Sequence, residues 1–213
     1  MHLTITDDPK ARKRIFNEAR QISGLKFAFE GFDSNKSLEE LDLDFDKSIQ
    51  ALYSWLGDNS HTVQEICHLI TQYANPTWSH SEIGIVVLPT AWAFCLHNVI
   101  TLGIRPPELV SSPDFNLIIH ELLHMNLNEK RKELQAAEEI TVTLLTRKIA
   151  EEANKKLNLH LFLQEFSQSV AKAAHRIEDQ FPKILETVST PAHIVSTIDS
   201  LLEQSEREPG GSF

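Results

Sequence analysis

Between Ile83 and Ile104 the chain runs for 22 residues without a formal charge, and few folds can hold such a segment. A run of that length either crosses a bilayer as a helix or lies inside a buried sheet. Pro89 interrupts it, and His97-Asn98 would place polar groups deep in hydrocarbon, where they are costly. Its first part, Ile83-Gly84-Ile85-Val86-Val87-Leu88, is short and β-branched, as a buried strand requires. Pro89-Thr90 reads as a turn, and Trp92 to Gly103 as one or two further strands or a short helix. A buried sheet is therefore expected, with no membrane span.

The remaining composition narrows the functional classes. At 213 residues and 41% hydrophobic content the chain can bury a sizeable core without disulfides. Its net charge of −10, from 30 acidic against 20 basic residues, argues against binding nucleic acid, which demands neutralised phosphates. The same balance disfavours docking on an anionic membrane. Cys67 and Cys95 are too few for a disulfide scaffold and suit a reducing, cytoplasmic setting. The first residues, Met1 to Asp8, lack the basic and apolar regions of a signal peptide.

Around the apolar run the pattern is helical. Asp8-Pro9 opens a helix with Ile15, Ala19 and Ile22 at helical spacing before Gly24. Leu41 to Asp46 alternates with period two and suggests a short strand. Asp42, Asp44 and Asp46 faintly match a calcium loop, but Lys47 stands where the loop needs Gly and Tyr53 where it needs Glu. Ile49, Leu52 and Trp55 mark a helix ending near Gly57, and Thr62-x-x-Glu65 reads as a capping box for the next. Ser112-Pro113-Asp114 caps a helix reaching Met125 or Asn126; a polar turn through Lys132 and a helix from there to Leu157 follow. Breaks are expected near Phe181-Pro182 and Thr190-Pro191, and a loose tail over 208–213. The expected organisation is an N-terminal helical region (1–75), a core with C-terminal helices (76–207) and that tail, the first two forming one continuous domain.

The chemistry concentrates in His120-Glu121-Leu122-Leu123-His124. Residues four apart share a helix face, so both imidazoles can address one ion. Glu121 sits about 100° round the helix, where it reaches a water rather than the ion. Two neutral imidazoles leave zinc Lewis acidic, and a carboxylate beside it can serve as general base and then general acid. The surrounding residues, from Phe115 to Met125, are apolar nearly all round. Two imidazoles and a carboxylate in a buried helix cost several kcal/mol unless they are partnered. The bland alternative is a pair of hydrogen-bonded core histidines. A third ligand is expected on an antiparallel second helix, where Glu138 and Glu139 come opposite the two histidines. Glu138 is in phase with the inward stripe Leu134, Val142, Leu145 and Ile149 and is preferred; Glu139, falling towards the other side, is the alternative.

On these residues the chain resembles the HExxH zinc metallopeptidases, and among them the gluzincin type, whose third ligand is a Glu on the helix after the motif. Glu138-Glu139-Ile140-Thr141-Val142-Thr143-Leu144 is similar to the segment around that Glu. The resemblance implies a compact α+β fold, mostly helical with a small β-sheet before the motif helix. It also implies one zinc ion per chain, and a strand edge within Trp92 to Gly103 that receives an extended substrate. Thirteen residues (125–137) separate His124 from Glu138, fewer than is usual in that family. Leu127 and Lys130 occupy the positions where metzincins carry Gly and a third His, and Cys95 lacks the setting of the deformylase cysteine. His160, His175, Arg176 and His193 are possible oxyanion partners, none preferred. The expected function is hydrolysis of peptide or protein substrates by metal-activated water; the alternative is a regulatory or structural metal-binding domain with little turnover.

Overall fold

The computed structural model describes residues 2–73, 82–103, 115–127, 134–161, 168–187 and 191–207. The expected cap at Ser112-Pro113-Asp114, the turn leading to Lys132, the break at Thr190 and the tail over 208–213 lie outside them. Among the described residues the fold is α+β, mostly helical with one four-stranded sheet, and it divides into two compact units. The first holds residues 1–65 and 79–122, the second 66–78 and 123–213.

In the first unit the uncharged run becomes sheet. Strands β1 (His2–Ile5), β2 (Glu82–Leu88), β3 (Phe94–Leu96) and β4 (Val99–Gly103) lie in the order β1-β2-β4-β3. β2 runs parallel to both neighbours, with Ile5 opposite Ile85 and Ile85 opposite Ile100. β3 returns antiparallel to β4 through a tight turn in which His97 adopts a positive φ of 56°. β2 is internal and Ile83, Ile85, Val86, Val87 and Leu88 are all buried, which explains an apolar run without alternation. Gly103 closes β4 against backbone: a Cβ there would lie 2.5 Å from the Thr90 carbonyl oxygen. No described helix is long and apolar enough to cross a membrane.

Helix α1 (Pro9–Gln21) begins as its sequence predicts, with the Asp8 carboxylate accepting from the Lys10 and Ala11 amides. Its buried face, Ile15, Phe16 and Ala19, joins Leu38, Leu41, Val86, Leu88 and Phe94 in one core. Helix α2 (Leu38–Asp58) corrects the expectation of a strand over Leu41 to Asp46. Ser37 and Glu40 form a capping box: the Glu40 amide donates to Ser37 Oγ at 3.2 Å and the Ser37 amide to Glu40 Oε2 at 2.8 Å. That cap starts the helix before the alternation can matter. Leu41 is buried, but Leu43 is 81% exposed, so the two do not share a face as strand residues would. The irregularity survives as a kink at Phe45 (φ −117°, ψ 15°). β1 was also unforeseen, since the N-terminal third reads as helical from sequence.

Helix α3 (Ser60–Tyr73) starts two residues before Thr62, so the expected capping box lies inside it. The chain passes almost directly out of α2 at Asn59. The Asn59 carbonyl accepts the Val63 amide, and its side chain donates to the Trp55 carbonyl.

Tyr53 on α2 joins the helix to the sheet. Its hydroxyl donates to the Thr6 carbonyl at 2.8 Å and accepts the Val87 amide at 3.2 Å. It thus occupies the place where the β1–β2 ladder would continue. Burial pushes its phenol up from its ordinary value. Next to it, Arg12 donates to the Val87 carbonyl and, with both terminal nitrogens, to Asp42 at 2.7 and 2.8 Å. Tyr53→Phe leaves two partly buried backbone groups without this partner and is expected to cost about 1–3 kcal/mol in denaturant unfolding. An unchanged midpoint would mean that water replaces the hydroxyl.

In the second unit, helix α5 (Gln135–Leu157) is buried on several sides along 137–146 and packs against α6 (Gln168–Ile177) and α8 (Pro191–Arg207). The expected break falls at a 3-10 turn over Glu178–Gln180, before α7 (Phe181–Thr187). Asn158 ends α5 in the left-handed conformation (φ 52°), and Asn154 clamps the following chain through both Leu161 backbone groups.

Cys67, in the α3 segment of this unit, is fully buried, and burial pushes its thiol up to about 12. A thiol titrating higher when folded favours the folded state at pH below its unfolded value, and that contribution is lost as pH rises towards the folded one. At about pH 8, iodoacetamide is therefore expected to modify half-buried Cys95 but not Cys67 until the protein unfolds. Mass spectrometry of labelled peptides reads this directly.

Candidate metal centre

Helix α4 (Phe115–Leu127) carries the motif and is continuous, although the division between the units falls after Leu122. Its apolar residues Ile118, Ile119, Leu122 and Leu123 are buried, so the helix must place its polar side chains in confined surroundings. His120 and Glu121 are themselves buried, Glu121 to 8% exposure. His124 follows His120 by one turn.

The residues expected on the inward stripe, Leu134 just before α5 and Glu138, Val142, Leu145 and Ile149 on it, are all buried. The start of this helix brings two consecutive carboxylates to one imidazole. Glu138 Oε1 lies 2.8 Å from His124 Nδ1, in hydrogen-bond contact. Glu139 Oε1 lies 3.3 Å from His124 Nε2. Consecutive helix residues are about 100° apart, which lets the pair flank two edges of the same ring. Glu139 has a side chain 46% exposed, in keeping with its place off the inward stripe, yet it reaches the ring.

Among the described residues, His120, His124 and Glu139 form a group that could hold a metal ion, each offering one ligand atom within 4.8 Å of the others. The donor set suits a borderline cation such as zinc. Two ligands of a tetrahedral zinc at about 2.0–2.1 Å stand about 3.3 Å apart, and the His124–Glu139 separation of 3.3 Å meets that spacing. Of the two glutamates weighed from sequence, it is the alternative, Glu139, that closes this group. Glu138 is instead placed at the other nitrogen of His124.

The candidate oxyanion partners are exposed side chains. His175 is 84% exposed at its side chain and pairs with Glu178 at 3.1 Å, while His160, Arg176 and His193 are exposed. Sequence reasoning passed over Asn116, which is buried one turn before His120 on the same helix. No protein family, curated protein or solved structure matches the chain.

Proposed function

We propose that the protein is a zinc-dependent metallopeptidase, with His120, His124 and Glu139 as metal ligands and Glu121 as general base. The observation that carries this reading is the convergence of those three donors beside the Glu121 that follows the first histidine. When bound, zinc supplies Lewis acidity, polarising a peptide carbonyl and acidifying water. Glu121 accepts the proton of the attacking water and delivers it to the leaving amine, so that one carboxylate serves both half-steps. The internal order of the sheet leaves β3 as an edge strand, able to pair with an extended peptide.

One observation favours the second reading, a structural or regulatory metal domain with little turnover. Glu121 and His120 are both buried, as in a closed site that holds metal for stability. A peptide-library digest, followed by mass spectrometry, separates the two. The peptidase reading predicts cleavage that 1,10-phenanthroline stops and added zinc restores. Metal binding without cleavage, with stability falling when metal is stripped, would support the structural reading instead.

A further inference from the structure

We propose that Glu138 is a positioning residue of the metal centre, holding His124 in the tautomer and orientation that aim Nε2 at the ion while the adjacent Glu139 serves as ligand. This rests on the metal reading above, and it divides labour between two consecutive carboxylates. The Glu138 side chain is only 11% exposed and that of His124 only 17%, so their 2.8 Å contact is largely shielded from water. A ring that ligates a metal is neutral and an ionised carboxylate can only accept, so in the metal-binding form Nδ1 donates to Glu138 and carries the ring's one proton. Nε2 is then the nitrogen with a lone pair, and it is the one facing Glu139 at 3.3 Å. A carboxylate committed to Nδ1 lies off one edge of the ring, away from an ion bound through the other nitrogen. Such a partner fixes the ring and raises its basicity as a ligand.

The test compares zinc affinity, by competition with a chromophoric chelator, in wild type, Glu138→Ala, Glu138→Gln and Glu139→Ala. Absorption spectra of the cobalt(II) forms are recorded alongside. Glu138→Ala is expected to keep about one metal per chain at saturation but to bind it about 10–100-fold more weakly. Glu138→Gln should recover most of that loss, to within about tenfold of wild type, because its amide oxygen still accepts from Nδ1. The cobalt spectrum should keep its band pattern in both Glu138 variants and change in Glu139→Ala. Should the Ala variant fail to fold, the Gln variant decides alone: near-native affinity supports positioning, and loss of metal makes Glu138 the ligand. Retention of the native spectrum in Glu139→Ala, or unchanged affinity in Glu138→Ala, would overturn the proposal. Wild-type protein that takes up no metal would remove the metal centre itself, a failure distinct from a misassigned Glu138.

Discussion

Glu121→Gln is expected to lower kcat for peptide hydrolysis by about 10²- to 10⁴-fold while leaving metal content unchanged. The substitution is nearly isosteric, so the packing of a residue buried to 8% exposure is preserved. In the proposed mechanism, what disappears is the ability to accept a proton from water and return it to the leaving amine. Metal content is expected to stay the same because Glu121 is not among the converging donors His120, His124 and Glu139. Steady-state kinetics on a cleaved peptide, with elemental analysis of the same preparation, measures both quantities. Full turnover in the variant would exclude Glu121 as base, and loss of metal would make it a ligand.

His124→Ala is expected to weaken zinc binding by at least about 10²-fold, since structural zinc affinities of about 10–16 kcal/mol spread over four ligands give roughly 3 kcal/mol each. It also removes the hydrogen-bond partner of Glu138, a carboxylate at 8% residue exposure. Leaving that group without its donor is expected to destabilise the metal-free protein by about 1–3 kcal/mol. Chelator competition reads the first effect and thermal unfolding of the metal-free form the second. Wild-type affinity in the variant would reduce the two histidines to packing residues.

The parts legible in the sequence were those set by strong local chemistry. Asp8-Pro9 specifies a helix start by cap and backbone geometry, and α1 begins there. The β-branched run from Ile83 to Leu88 can satisfy its backbone and bury both faces only inside a sheet, and it is β2. The inward stripe of α5 followed from helical phase, and its five expected residues are buried. Errors arose where two local signals competed. At Leu41 to Asp46 the period-two pattern was real, but the Ser37–Glu40 box immediately upstream had already nucleated a helix. β1 was missed because four residues have no period of their own; pairing with β2 defines them. At the site, helical phase placed Glu138 inward correctly but could not say which nitrogen of His124 it would meet. That depends on the approach of the start of α5 to α4, which is set by packing and not by either helix alone.

The most direct measurement is the metal content of protein purified without chelator, determined by elemental analysis beside His124→Ala. The account predicts about one zinc per wild-type chain and far less in the variant. No metal in the wild-type protein, even after zinc is added back, would contradict it.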